Sequence, residues 1–231
     1  MIAIASEVHV IDLDNTIYQT YPAFDKMVGM VVSNGLAKQD VIADARAAVE
    51  ATGGSFDLLT CLEVELGVPR DEIEGVAKQF GANEEGDDFL FSDAHPFMRA
   101  LAETNTPNFI LTKGGLLTQS AKLQSVDLYE HWHRITDSTD KAGVIENWRA
   151  PAGHYEIEVN VGNDRDVLVA SRALIEEDKP KAYKGMVAGN AGWLVVRHKM
   201  PTQAELANLP PSVTVVTDLN PVTEYIYQAA A

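Results

Sequence analysis

The sequence has little cysteine, an excess of acidic over basic residues and no long apolar run. Its 231 residues include one cysteine, Cys61, so an intrachain disulfide cannot form. Lysine and arginine number 18 against 34 aspartate and glutamate residues, which gives a formal net charge of −16. Nucleic acids and anionic membranes are themselves negatively charged, so this balance argues against either of them as the main partner.

The lack of long apolar runs bears on where the protein works. No run approaches the roughly 20 apolar residues that a membrane-spanning helix needs. The first five residues have no basic start and are too short for the apolar part of a signal sequence. Apolar and charged contents of 46% and 23% are ordinary for a globular protein. We expect a soluble, cytoplasmic protein with no membrane partner, either a monomer or a homodimer.

Two acids follow an apolar stretch near the start of the chain. Val8, Val10 and Ile11 predict a buried strand, and Asp12 and Asp14 come directly after it. Open α/β sheets bind their ligands at the carboxyl ends of the strands. Residues two apart in an extended chain point to the same side. The two acids therefore indicate a metal site, a nucleophile with an acid/base partner, or both.

The next part of the chain, from roughly residue 20 to residue 90, has helical periodicity and almost no strand signal. Four helices are predicted there. Ser55 is the predicted N-cap of the third, and the fourth is predicted over residues 71–80. A further helix is predicted over residues 93–104. The pattern predicts a helical insertion between the first strand and the rest of the sheet.

A second apolar strand ends at Thr112 and passes through Lys113, Gly114 and Gly115 into a helix predicted over residues 116–125. Glycines at such a turn let backbone N–H groups approach an anion, and the N-terminus of a helix favours negative charge. The turn therefore indicates either an anion site or a plain connection between strand and helix.

The same alternation of strands and helices continues to the end of the chain. A strand over residues 157–161 leads into Gly162, Asn163, Asp164 and Asp166, and Lys141 precedes it. Two later strands, over 192–197 and 212–218, and a helix over 220–228 complete the pattern. It predicts an α/β fold with a doubly wound parallel sheet, whose polar strand ends meet at the carboxyl edge.

The order of these motifs resembles the haloacid dehalogenase superfamily. The motifs are Asp12-x-Asp14-x-Thr16, then Thr112, then Lys141, then the acids at 164 and 166. Members of that superfamily are mostly Mg²⁺-dependent phosphatases that work through an aspartyl-phosphate. The resemblance implies a Rossmann-like core over residues 1–19 and 92–231, and a helical C1-type cap over residues 20–91.

The chain departs from the family pattern at two of these positions. Ala142 follows Lys141 where a proline is common, and Asn163 stands where the first acid of the fourth motif is usual. The second departure leaves the third metal ligand open between Asp164 and Asp166, with the Asn163 amide oxygen as an outside alternative.

The resemblance also implies a role for each motif residue. Asp12 would be the nucleophile, and Asp14 the acid and base for the leaving group and water. Thr112, Lys113 and Gly114 would bind the phosphate of a small phosphorylated metabolite. Lys141 would be catalytic and would supply positive potential at that phosphate. Mg²⁺ would be held by Asp12, by Asp14 through its carbonyl, and by Asp164 or Asp166. We expect Asp164 to be the inner ligand and Asp166 to orient Lys141.

Two other functions fit the same residues. A phosphomutase would use the same core, and a catalytically silent binding protein would explain the altered Gly162-Asn163-Asp164. Dehalogenation is disfavoured, because the dehalogenases that name the family lack the acid found here at Asp14 and a halide needs no proton.

Overall fold

The computed structural model describes residues 7–104, 106, 108–128, 133–136, 149–150, 153–154, 156–162, 191–198, 202–207 and 213–229. Lys141, Asn163, Asp164 and Asp166 lie outside these residues, so their predicted roles stay predictions. Within the described part of the chain, no helix is long and apolar enough to cross a membrane.

A parallel sheet forms the centre of the molecule. The described strands are β1 (Glu7–Ile11), β2 (Asn108–Lys113), β3 (His133–Thr136), β4 (Arg149–Ala150), β5 (Gly153–His154), β6 (Glu156–Gly162), β7 (Ala191–Val195) and β8 (Val213–Val216). The six-stranded sheet has the order β3-β2-β1-β6-β7-β8, and every neighbouring pair in it runs parallel. The short β4 and β5 pair separately and antiparallel. The predicted α/β fold with a parallel sheet is confirmed, and β1 lies between β2 and β6.

Four helices follow β1 where the sequence predicts a helical insertion. They are α1 (Thr20–Ser33), α2 (Gln39–Ala51), α3 (Leu58–Val64) and α4 (Arg70–Ala82), and we call residues 20–82 the helical insertion. The remaining described helices are α5 (Ala94–Glu103), α6 (Leu116–Ser125), α7 (Gln203–Ala207) and α8 (Asn220–Ala229). The division of the chain into a core and a cap domain stays a prediction.

The chain enters and leaves the insertion through two segments that pair with each other. The Gln19 N–H donates to the Phe89 carbonyl at 2.7 Å, and the Phe91 N–H donates to the Ile17 carbonyl at 3.0 Å. Tyr18, in the segment that leads into the insertion, is fully buried. We call residues 12–19 and 88–93 the connecting segments. Their pairing fixes the base of the insertion next to the carboxyl end of β1.

One apolar core runs through both the sheet and the insertion. It contains Ile11 and Leu13 from the β1 region together with Leu62 and Phe80 from the insertion. The Phe80 ring stacks on Phe89, with 5.4 Å between ring centroids. Burial of these side chains removes apolar surface from water, so it holds the insertion against the sheet.

The start of α3 differs from the prediction. Ser55 is not the N-cap, because the helix begins at Leu58 and Asp57 precedes it. The Asp57 carboxylate accepts the Thr60 N–H at 2.9 Å, which is the usual bond of an N-cap side chain. Cys61 lies buried on the same helix. Burial raises the pKa of its thiol, as expected for a small packed residue.

Candidate active site

Asp12 is the first residue after β1, and it lies at the carboxyl edge of the sheet. Its side chain is 3% exposed, and the Thr16 hydroxyl donates to its Oδ2 at 3.2 Å. The chain turns sharply here, because the Leu13 carbonyl accepts the N–H groups of Thr16 and Tyr18. Asn15 takes a positive φ of 53° within this turn, a conformation that asparagine tolerates better than most residues. The turn brings the Thr16 hydroxyl back to the Asp12 carboxylate.

Asp14 is held by three side-chain donors. Its Oδ1 accepts the Lys122 ammonium at 2.7 Å and the Thr20 hydroxyl at 2.8 Å. Its Oδ2 accepts the Gln119 amide N–H at 3.1 Å. Both carboxylate oxygens are therefore bonded, and Lys122 supplies a positive charge.

These contacts set the charge on Asp14. Burial works to raise the pKa of the Asp14 carboxyl, and the Lys122 ammonium and the hydrogen bonds from Lys122, Thr20 and Gln119 work to lower it. The lowering effects prevail, so the pKa lies below its ordinary value. Asp14 is therefore a carboxylate near neutral pH, the form that accepts a proton.

The end of β2 is linked to Asp14 through one amide. The Thr112 side chain is fully buried, and its hydroxyl donates to the Gln119 Oε1 at 3.2 Å. The Gln119 amide N–H group that reaches Asp14 also donates to the Lys113 carbonyl at 3.1 Å. Gln119 thus links the end of β2, which is predicted to bind phosphate, to Asp14, the predicted acid and base.

Close packing explains the two glycines after Lys113. Gly114 has a φ of +150°, and a Cβ there would lie 2.5 Å from the Gln119 Nε2. A Cβ on Gly115 would lie 2.8 Å from the Thr60 hydroxyl and 2.9 Å from the Asp57 Oδ2. A side chain at either position would displace the groups that pack against the turn.

Asp57 of the insertion contacts this turn directly. Its Oδ2 accepts the Gly115 N–H at 3.1 Å, and its Oδ1 accepts the Thr118 hydroxyl at 2.9 Å. The sequence indicates either an anion site or a plain connection at the turn, and the carboxylate that accepts the Gly115 N–H belongs to the insertion. The start of α3 is therefore docked on the start of α6.

A buried arginine holds the loop that follows β1. Arg197 donates to both Asp93 carboxylate oxygens at 2.6 and 2.9 Å, and to the Thr16 carbonyl at 2.6 and 3.1 Å. Its guanidinium lies 4.0 Å from the centroid of the Phe91 ring. Asp93 also accepts the Leu219 N–H at 2.8 Å. One ion pair thus joins the segment after β7, both connecting segments and the start of α8.

Most of the predicted site residues that the structure describes lie close together. Asp12 and Asp14 lie on one turn, and Gln119 links Asp14 to Thr112 and Lys113. Within the described residues, no group of three or more histidine, cysteine or acidic side chains is placed to hold a metal ion. The acids predicted to complete the metal site, Asp164 and Asp166, are outside that part of the chain.

The sequence reasoning missed Lys122 and Gln119. Lys122 is 7% exposed on α6, next to the buried Ala121 and Leu123. A lysine on a buried helix face needs an anion, because an unpaired charge is costly to remove from water. Gln119 lies three residues earlier, on the same side of the helix. That pattern is the signal that could have indicated an acidic partner, although it could not have identified Asp14.

Solved structures of other proteins resemble this chain over nearly its whole length. A protein of Burkholderia xenovorans LB400, described as a haloacid dehalogenase-like hydrolase, has a TM-score of 0.61 at 18% identity, with 97% of this chain and 98% of that one covered. YfnB of Bacillus subtilis, described as a HAD-hydrolase bound to magnesium, has a TM-score of 0.50 at 14% identity, with 96% and 99% covered. This chain has the haloacid dehalogenase-like fold.

The likeness to these proteins is recognisable from the structure of the chain and not from its sequence. No family model and no curated protein matches the sequence. The structure of a dehalogenase with an intermediate complex also matches this chain, with a TM-score of 0.50 at 12% identity and 96% and 98% coverage. Identities this low show the fold and leave the reaction to be argued from the site.

Mg²⁺ suits the donors that this fold presents on the turn after β1. The Asp12 carboxylate and the Asp14 main-chain carbonyl are both oxygen donors, which Mg²⁺ prefers. The Asp14 side chain bonds to Lys122 instead. The described residues therefore fit part of a magnesium site, with Asp14 contributing its backbone.

Proposed function

We propose that this chain is a Mg²⁺-dependent phosphatase of a small phosphorylated metabolite, acting through an aspartyl-phosphate on Asp12. The observation that carries the proposal is the arrangement at the end of β1. A buried carboxylate is held by Thr16, and two residues later a second carboxylate is held by Lys122, Gln119 and Thr20. The first acid is the proposed nucleophile, and the second is held in place for proton transfer.

The reaction has two steps, and each uses the same two acids. First, Asp14 takes up a proton from solvent, an Asp12 oxygen attacks phosphorus, and the bond to the leaving oxygen breaks as Asp14 passes that proton to it. Then water attacks the phosphorus of the aspartyl-phosphate and gives a proton to Asp14, and the broken bond returns its electron pair to Asp12. Phosphate is released, Asp14 returns the proton to solvent, and both acids are again carboxylates.

Charge repulsion explains why cations belong in this proposal. At an effective dielectric constant near 20, two like unit charges ~4 Å apart repel by ~4 kcal/mol. Asp12 and a phosphate substrate would meet under such repulsion. Mg²⁺, held by Asp12, the Asp14 carbonyl and Asp164 or Asp166, would supply positive charge at the phosphate oxygens. Thr112, Lys113, Gly114 and Lys141 would bind the phosphate beside it.

A substrate screen tests the proposal. The purified full chain is assayed for phosphate release from a panel of phosphorylated metabolites and para-nitrophenyl phosphate, with Mg²⁺ or with EDTA. We expect Mg²⁺-dependent release by the wild type and background release by Asp12→Asn, which keeps the shape of the side chain and loses the nucleophile. Circular dichroism checks that the variant is folded.

The other functions give different results in the same screen. Transfer of phosphate between positions of a sugar phosphate, without release, would identify a phosphomutase. Background activity on every compound, with no Mg²⁺ binding by calorimetry, would identify a binding protein. Chloride release from a 2-haloacid would identify a dehalogenase. Activity that survives in Asp12→Asn would reject the covalent mechanism.

A further inference from the structure

We propose that Lys122 and Gln119 form a positioning pair that fixes the orientation of the Asp14 carboxylate for proton transfer. This inference rests on the proposed function, and it assigns a role to two residues of α6 that the motif pattern leaves out. Lys122 bonds to one oxygen of Asp14, and Gln119 bonds to the other. Neither side chain acts on the substrate in this scheme, since both act through Asp14.

The first argument is the geometry of the carboxylate. A carboxyl group can rotate about its terminal bond, which has a broad torsional minimum. Here the Lys122 ammonium is 2.7 Å from Oδ1, and the Gln119 amide is 3.1 Å from Oδ2. Bonds to both oxygens, from residues three apart on one helix, set the plane of the carboxylate. The Thr20 hydroxyl, 2.8 Å from Oδ1, adds a bond from the start of α1.

The second argument is that the pair itself is well anchored. The Lys122 ammonium lies 5.9 Å from the centroid of the buried Tyr18 ring, within the range of a cation–π contact. The Ser125 hydroxyl bonds both the Tyr18 hydroxyl and the Lys122 carbonyl. Gln119 is tied to β2 through Thr112. Because Lys122 and Gln119 are themselves held in place, the Asp14 carboxylate that they bond is held in one orientation.

The third argument is that fold stability alone does not explain the ion pair. The side chains of Lys122 and Asp14 are 9% and 25% exposed. A buried ion pair gains little over apolar residues of the same size, because both charges lose their hydration. For stability alone, apolar residues at both positions 14 and 122 would serve as well as the pair. The lysine is placed where it meets the proposed acid/base, which favours a role in the reaction.

Kinetics of Lys122→Met test the proposal, because methionine keeps much of the length and apolar character of the lysine. With a phosphate ester selected by the screen, we expect kcat to fall by about 10- to 100-fold while KM changes little. Lys122→Arg keeps the charge and recovers part of kcat. Lys26→Met is the matched control, because Lys26 pairs with Glu85 at the surface of the insertion. We expect the Lys26→Met rates to equal those of the wild type.

A double-mutant cycle separates positioning from a general structural effect. If Lys122 acts only through Asp14, then Lys122→Met added to Asp14→Asn costs about twofold or less in kcat. An independent structural effect would cost the double mutant the same 10- to 100-fold again. Para-nitrophenyl phosphate is the substrate for the cycle, because its good leaving group keeps the Asp14→Asn rate measurable.

A crystal structure of Lys122→Met gives a readout that needs no turnover. We expect the Asp14 carboxylate to rotate or to occupy more than one orientation, while Gln119 keeps its bond to Thr112. An unmoved, single Asp14 conformer, or a kcat within twofold of the wild type, would overturn the proposal. A wild type inactive on every phosphate ester would reject the proposed phosphatase instead, and the crystal structure would then decide whether Lys122 positions Asp14.

Discussion

Arg197 holds the loop that carries Asp12 and Asp14 by donating hydrogen bonds to the Thr16 carbonyl. The side chains of Arg197 and Asp93 are 7% and 11% exposed, so the pair is nearly removed from water. Removing one member of such a pair leaves the other as an uncompensated buried charge. The position of the Thr16 hydroxyl, and with it one oxygen of Asp12, depends on this contact.

Arg197→Met is therefore expected to lower the free energy of unfolding by about 3–5 kcal/mol, measured by urea denaturation. Arg197→Lys should recover only part of the loss, because lysine lacks the planar fork that bonds Asp93 and Thr16 together. Arg70→Met is the control: the Arg70 side chain is 53% exposed and pairs with Glu63 and Glu74 on the surface. Arg70→Met should leave the free energy of unfolding nearly unchanged, and an equal effect of Arg70→Met and Arg197→Met would contradict this account.

Single residues show how far the sequence could predict the site. The proposed nucleophile and acid/base could be predicted locally, because Asp12 and Asp14 directly follow the apolar residues that predict β1. The partners of Asp14 could not, because Lys122 and Asp14 are far apart in the chain and meet only when α6 packs beside the turn after β1. Local spacing indicates that Lys122 needs an anion, and tertiary structure decides which anion it meets.

Helices and strands can be predicted where the local sequence determines them. The prediction of α6 over residues 116–125 is confirmed, since glycines mark its start. The strand β3 was not predicted, because His133–Thr136 has little apolar periodicity and becomes a strand by pairing with β2. The N-cap of α3 was misplaced at Ser55 because Asp57 also bonds Gly115 and Thr118, contacts that no local pattern contains.

The contact between α3 and α6 yields a prediction about the insertion. Asp57→Ala removes the N-cap bond to Thr60 together with the bonds to Gly115 and Thr118. The lost N-cap alone should cost ~1 kcal/mol of helix stability. Hydrogen exchange should then rise both at the Gly115 amide and within α3. Such a pattern would mean that Asp57 stabilises the helix and docks it on the turn.

Asp57→Asn separates these two functions. An asparagine oxygen can still cap α3, but its amide nitrogen cannot accept the Gly115 N–H. We expect faster exchange at Gly115 with little change in α3. Unchanged exchange at Gly115 in both variants would show that Asp57 does not hold the insertion on the turn.

At the scale of the whole molecule, the net charge of −16 opposes the approach of an anionic substrate. Lys122 and Arg197 add little attraction, because each is paired with an acid. Salt screens the long-range field over about 10 Å at 0.1 M. With saturating Mg²⁺, kcat/KM for a phosphate dianion should therefore rise as ionic strength increases from low to physiological values. A fall over that range would show that local positive charge, rather than net charge, governs association.

The most direct test of the account is whether Asp12 becomes phosphorylated during turnover. Wild-type protein is mixed with substrate and Mg²⁺, quenched in acid within a single turnover and digested for mass spectrometry. We expect the peptide that contains Asp12 to carry one phosphoryl group, and the same peptide from Asp12→Asn to carry none. Turnover by the wild type without a phosphoryl group on Asp12, or with one on another residue, would contradict the central claim.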